Sequence, residues 1–508
     1  MTSTSRNSTS PTTLIRGGTV VGWQNGGHRI LENGVVVYRG DSIVHVGRTW
    51  SGVVHEIVEA AGKLVCPGFI STHAHVSDHV GDRLVVDTGR RDFLRSGFLN
   101  YAPRRWPNGP GFSSPDNQDA SLRYGFASLI RNGVTTVVHL DGGPGDGGKA
   151  ITRIGAESGM RLYYGPYCNG GDYFFDDRGQ LERHEDEAAG LASLDRAGEA
   201  IARFDGSAEG RLRGIVVFDE LFQATPRLLR RVKELAAHLD VGITLHASEQ
   251  VHEFHEILRR TMRTPIGWLE DEGFLGPEVI LGHCIYVSGH RFTSYPFKGD
   301  LEAIAASGAS VAHSPVALAR RGVTLDSFQR YRDHGINLAI GTDSYPQDIL
   351  AEMRWASLTC KVTERNNESA SAAAVFEAAT IGGAKALRRD DLGRLAPGAK
   401  ADLVLVDLDT LRFGPIHDPI RALVYCGTGE LVDTVIVAGR KLMENKSLIA
   451  WDEACILAEM RKGVKRVWSA CADWHWSGQD IDEVFPPSLL PWEERLGSRK
   501  QRGLVVEP

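Results

Sequence analysis

The chain has 508 residues, 42% of them hydrophobic and 24% charged, with a formal net charge of -7 and a pI near 6.2. This is the make-up of an ordinary soluble globular protein long enough for more than one structural unit. The acidic balance argues against nucleic acid or an anionic membrane as partner, and no apolar run approaches the ~18 residues of a spanning helix.

Residues 1–12 lie within "MTSTSRNSTSPTT", which lacks the apolar core of a secretory signal and reads as a disordered tail. Residues 13–62 hold short strand-like runs, "TLIRGGTVVGW" and "NGVVVYRGDSIVHVG", broken by Gly and Asp turns and therefore antiparallel. Eight apolar, β-rich runs follow: 64–72, 133–140, 161–167, 213–219, 242–248, 278–284, 309–315 and 336–343. Helical patterns lie between most of them, such as "PRLLRRVKELAAHL" (226–239), with apolar residues at i, i+3, i+4 and i+7. Near-continuous apolar strands separated by helices indicate a buried parallel sheet. Eight such units suit an α/β fold of the (β/α)8 TIM-barrel type, with a long insertion at 76–118.

Antiparallel texture returns at "ADLVLVDLD" (401–409) and "LVDTVIVAGRKL" (431–442). The expected division is a barrel over 63–390, a discontinuous small β-sandwich from 13–62 and 391–450, and a C-terminal extension over 451–508. Seven cysteines, odd in number and without CxxC spacing, fit reduced thiols in a cytoplasmic protein.

The C-terminal ends of barrel strands carry the sites of this fold. Strand one ends in His73 and His75, two apart and so on one face. Strand five gives His246 with Glu249 three residues on, strand six His283, strand seven His313 and strand eight Asp343. Any one of these alone reads as a satisfied polar residue; so many at one end of successive strands reads as a site. Three imidazoles and a carboxylate suit Zn²⁺ or Fe²⁺ with a position open for water. Such an ion lowers the pKa of a bound water towards about 7. Glu249 and His283 are then placed to move protons.

"PGFISTHAH", "LHASEQ", "LGHC" and "AIGTDS" resemble the motifs of the amidohydrolase superfamily. "LGRLAPGAKADLVLVDLD" (392–409) is similar to that family's return into its β-sandwich. The HxxE spacing of His246 and Glu249 looks like the branch of cytosine and guanine deaminases and triazine hydrolases. This resemblance implies one divalent ion, Zn²⁺ first with Fe²⁺ or Co²⁺ as alternatives, on His73, His75, His246 and Asp343. It implies Glu249 and His283 as proton carriers, with Asp343 also able to take a proton from water, and a homo-oligomer. Strand four ends in "GIVVFDELF" (214–222), without the lysine that bridges two metals in binuclear relatives. After strand seven, "HSPVAL" puts Ala317 and Leu318 where the branch carries a polar pair, which points to a more apolar substrate.

Around this set, His139 ends strand two and faces either the pocket or packed interior, and Cys284 reads as packing. His252 and His255 are expected in solvent, and "DGGPGDGGK" (141–149) is expected as a loop at the barrel mouth, not a phosphate cradle. Phe93, Phe98, Tyr101 and Trp106 of the insertion either roof the substrate or pack within their loop. The expected activity is hydrolysis of a non-peptide carbon–nitrogen bond, of amide, urea or carbamate type, in an apolar small molecule. Deamination or dechlorination of an aminated triazine, pyrimidine or purine is the alternative. A third possibility, an inactive scaffold, is disfavoured by the intact set of histidines and Asp343.

Overall fold

The computed structural model describes residues 10–77, 87, 104–105, 118–141, 147–176 and 178–492. Phe93, Phe98, Tyr101 and Trp106, most of the 141–149 loop and the start of the N-terminal tail lie outside the described residues.

Eight parallel strands form the barrel sheet in chain order: Phe69–Ala74, Val134–Asp141, Arg161–Cys168, Leu212–Glu220, Gly242–Ala247, Val279–His283, Ser310–His313 and Asn337–Ile340. The ring closes between strands one and eight: Thr342 and Asp343 N–H donate to the His73 carbonyl at 2.9 Å, and His75 N–H donates to the Asp343 carbonyl at 2.7 Å. Ile70, Val138, Ile215, Val217, Ile280, Ala312 and Ala339 fill the interior. The alternate residues face the helices, because side chains of a strand alternate between faces. The Pro226–Leu239 helix shows the local logic. Thr225 caps it by accepting the Leu228 N–H, Pro226 opens it, Leu228, Leu229, Val232 and Ala236 form its buried stripe, and Asp240 ends it in the left-handed region.

The run 64–72 is two strands, not one. Lys63–Pro67 pairs antiparallel with Leu403–Asp407 in a different sheet, and only Phe69–Ala74 enters the barrel. Gly68 marks the break: a Cβ there would lie 2.2 Å from Thr135 Oγ1, and its N–H donates to the Asp402 carbonyl at 3.0 Å. Strand seven stops at His313 because Pro315 opens a helix over Pro315–Ala319.

The second sheet has nine strands and is built from both ends of the chain, Thr12–Gln24 to Lys63–Pro67 and Leu403–Asp407 to Ser447–Leu448. Ile15, Val20, Val36, Ile43, Val65, Leu403 and Ile436 form its core. We propose Gly68 as the boundary between this small β-sandwich domain and the barrel. Asp402 joins the two parts: its carboxylate accepts from Arg161 Nε at 2.6 Å and Nη2 at 3.0 Å, with both residues buried. A hairpin, Gly171–Phe175 and Leu181–Glu185, follows strand three and was not legible in the sequence. Beyond the sheet, the Glu453–Ser469 helix packs Met460, Val464 and Val467 with Trp474 and Phe485, and the Trp476 ring lies 4.5 Å from that of Phe175 of that hairpin, tilted by 40°. No described helix is long and apolar enough to cross a membrane. All seven cysteines are unpaired, and Cys426 and Cys455 are the two exposed ones.

Candidate metal and active site

The sheet register brings the strand ends together. Ala74 bridges to Asp343, Glu220 aligns with His246, and Ala247 with His283. His73, His75 and His246 each offer a nitrogen within 4.8 Å of the others, and His73, His283 and Asp343 form a second such group sharing His73. The His73 ring centroid lies 5.3 Å from His75, 4.7 Å from His246 and 4.5 Å from His283. Gly282 makes room for it, since a Cβ there would lie 2.8 Å from His73 Cε1.

The ring tautomers follow from the outer contacts. His246 Nδ1–H donates to the Asp219 carbonyl at 2.6 Å, which leaves its Nε2 as a lone pair. That Nε2 sits 3.1 Å from His75 Nε2, while the Tyr167 hydroxyl lies 3.1 Å from His75 Nδ1. Neither ring nitrogen of His73 has a hydrogen-bond partner, although the side chain is fully buried. Burial pushes the His73 and His246 imidazoles well below their usual range, with the neighbouring histidines adding to it, and His283 down to about 4. Two buried ring nitrogens of His73 without a partner, and a lone pair on His246 Nε2 close to His73 and His75, are what a bound cation satisfies. The residues present therefore fit a divalent ion.

Glu249 and Asp343 flank His283: Glu249 Oε2 is 3.9 Å and Asp343 Oδ2 3.8 Å from His283 Nε2. Burial, and then Asp343, push the Glu249 carboxyl well above the usual range. Burial also pushes Asp343 up, but the nearby His283, His75, Arg321 and His246 outweigh it and its net shift is downward. Three residues here carry left-handed backbone, Ser248 at φ 54°, His283 at 65° and Asp343 at 53°. Such conformations cost of order 1 kcal/mol or more each and cluster where side chains must be aimed.

The other candidates fall differently. His139 is buried, with the Val76 N–H donating to its Nδ1 at 3.1 Å, so it braces the loop carrying His75. His313 is buried and its pKa is pushed down to about 3 by burial and His283. Ala317 and Leu318 are each only 1% exposed, within the short helix after strand seven. His252 is not in solvent as expected; its ring nitrogens are buried and its centroid lies 5.4 Å from Tyr173, because the hairpin covers that helix face. His255 is exposed. Cys284 is buried, and burial pushes its thiol well up, which suits packing over nucleophilic work.

Asp219, Glu220 and Tyr167 escaped the sequence reading. The sequence pattern at the end of strand four shows the missing lysine and strand three carries no histidine, although all three residues sit at the same barrel end. Asp219, Glu220 and His246 also lie within 4.8 Å of one another. His246 Nδ1 already donates its proton to the Asp219 carbonyl, so this trio is poorly suited to a second ion.

The Amidohydrolase family matches residues 64–442, well over half of the chain. The chain is 26% identical over 436 residues to the 5'-deoxyadenosine deaminase of Methanococcoides burtonii, covering 85% of this chain and 92% of that protein. It is 28% identical over 452 residues to the 5-methylthioadenosine/S-adenosylhomocysteine deaminase of Halobacterium salinarum, covering 88% and 96%. Among solved structures, an adenosine deaminase from Xanthomonas campestris with bound zinc superposes with a TM-score of 0.74 at 22% identity, covering 90% of this chain and 98% of that one. The atrazine chlorohydrolase of Arthrobacter aurescens TC1, complexed with zinc, superposes with a TM-score of 0.72 at 23% identity, covering 89% and 100%. These two likenesses speak for the shared barrel fold. With the family match across the barrel and sheet, the chain belongs to the amidohydrolase family and is a hydrolase of carbon–nitrogen bonds other than peptide bonds.

Proposed function

We propose that the protein is a mononuclear, zinc-dependent deaminase that hydrolyses the exocyclic carbon–nitrogen bond of an aminated heterocycle. His73, His75, His246 and Asp343 would hold the ion, which supplies Lewis acidity to water and substrate. Water oxygen bonds to the ring carbon, the exocyclic C–N bond breaks, and the products are a ring carbonyl and ammonia. In this reading Asp343 would take the water proton and Glu249 would protonate the departing nitrogen. His283, neutral and buried between them, is placed to hydrogen-bond the attacked group. The observation that supports the reading is the closeness of Glu249 and Asp343 to His283 Nε2, with two donor groups that share His73: His73–His75–His246 and His73–His283–Asp343. The named activities of the Methanococcoides and Halobacterium relatives favour deamination among the carbon–nitrogen cleavages open to it.

One observation favours a second reading. Where the resembled branch carries a polar pair after strand seven, this chain has Ala317 and Leu318, which suits an N-aryl amide, urea or carbamate. A mixed incubation read by mass spectrometry separates the two. Aminopurine nucleosides, aminopyrimidines and triazines are offered together with N-aryl ureas, carbamates and anilides. Loss of ammonia from the heterocycles is expected; release of arylamine alone would overturn the deaminase reading in favour of the second. Elemental analysis is expected to find about one zinc per chain.

A further inference from the structure

Glu253 is a fully buried carboxylate on the Val251–Thr261 helix, and its contacts reach further than a helix cap needs. Its Oε2 accepts the Gln250 N–H, as in an ordinary capping box, at 3.5 Å. Two shorter bonds run further back: Oε1 accepts the Ser248 N–H and Oε2 the Glu249 N–H, both at 3.0 Å. One side chain thus grips three consecutive amides of the segment between His246 and the helix, including Ser248 in its left-handed conformation. The Gln250 amide completes the grip by donating to Glu249 Oε1 at 2.8 Å.

The gripped segment in turn holds the loop that carries His283. The Ala247 carbonyl accepts the Cys284 N–H at 3.0 Å, and the Ser248 carbonyl accepts both the Ile285 and Tyr286 N–H groups at 2.9 Å. His283 and Cys284 are themselves left-handed, at φ 65° and 49°, so their path depends on such outside bonds. Glu249 and His283 therefore sit on two loops registered against each other through Ser248, and Ser248 is held by Glu253.

We propose that Glu253 is the positioning residue for the Glu249–His283 pair, setting the backbone that aims both side chains while touching neither the metal donors nor the substrate. This rests on the assignment of Glu249 and His283 as proton carriers. The carboxylate is required for its two acceptor oxygens. A glutamine of the same shape has one acceptor and an NH₂ that would face a backbone N–H, so it cannot hold the Ser248 and Glu249 amides together.

The test compares E253Q, E249Q and E249Q/E253Q as full-length, metal-loaded chains, with peptide-resolved hydrogen exchange over 246–250 and 283–287 as a readout independent of activity. E253Q is expected to keep its metal and its KM, to lose roughly tenfold or more in kcat, and to exchange faster in both segments. E249Q/E253Q is expected to lose less than the product of the two single losses, because the part of the Glu253 effect that runs through Glu249 is already gone once Glu249 is neutralised. E253D keeps two acceptors on a shorter arm and is expected to recover part of the rate. Unchanged exchange in E253Q overturns the proposal, as does wild-type kcat or a full multiplicative loss in the double variant. If the wild type turns over none of the substrates offered, the deaminase reading has failed separately, and the exchange of the two segments decides the positioning by itself.

Discussion

The imidazole of His73 meets no hydrogen-bond donor or acceptor on either nitrogen and has Gly282 pressed against its edge, so two simple substitutions probe the site from opposite directions. Gly282→Ala adds one methyl group that would lie 2.8 Å from Cε1. It is expected to cost about 1–3 kcal/mol by overpacking and to lower the zinc retained per chain, although no donor atom is removed. Wild-type zinc content by elemental analysis would mean that the ring has room to step aside. Glu249→Gln keeps the shape and removes the titratable group. Zinc is expected to stay bound while turnover falls by roughly 10² or more; a near wild-type rate would make Glu249 structural. At this scale the sequence was informative about histidines and carboxylates, whose chemistry is carried by the side chain. It was silent on Asp219, which orients His246 through its backbone carbonyl, and every residue type has one.

Among the elements, the strands were legible because burial on both faces leaves uninterrupted apolar runs. The Gly171–Phe175 hairpin and the split at Gly68 were not, because both depend on which sheet a strand joins and not on its own pattern. The contact between sheet and barrel provides a pH test. His28, on the Gly27–Arg39 strand, has its Nε2 3.2 Å from Thr380 Oγ1 and its ring 5.2 Å from Phe376, both on the barrel side. Burial, with Arg29 adding to it, pushes its pKa down to about 4. An unfolded histidine titrates near 6.5, so between pH 6.5 and 4 the unfolded chain binds the extra proton. The stability contributed by neutral His28 is then complete above pH 6.5 and lost as pH falls towards 4, by at most ~1.4 kcal/mol per pH unit. Denaturant midpoints measured across that window are expected to fall less steeply in His28→Gln. An identical slope would place the acid sensitivity elsewhere.

In the molecule as a whole, the two parts are tied by a buried ion pair, with Asp402 on the sheet side and Arg161 at the start of barrel strand three. Asp402 also accepts the Ala438 N–H on one carboxylate oxygen at 2.8 Å, and its carbonyl accepts the Gly68 N–H at the crossing point between the sheets. Asp402→Ala leaves a buried guanidinium without its partner and is expected to cost about 3–5 kcal/mol. Because the same residue serves both parts, a single unfolding transition is expected to move to lower temperature in calorimetry. Two separated transitions would show that the sheet and barrel are coupled by Asp402 alone, and a shift worth less than ~1 kcal/mol would show that water reaches Arg161.

Taken by itself, the sequence determined the barrel, its return into a terminal sheet and the side chains gathered at one barrel end. Periodic burial is written into each short segment, and eight repeats of it leave few other ways to close a core. Tertiary structure alone decided how those side chains are aimed. The left-handed turns at Ser248, His283 and Asp343, the Tyr167 hydroxyl beside His75 and the reach of Glu253 to Ser248 join residues distant in the chain or act through backbone groups. Backbone amides and carbonyls are common to nearly every residue, so their pairing appears only once the chain has folded.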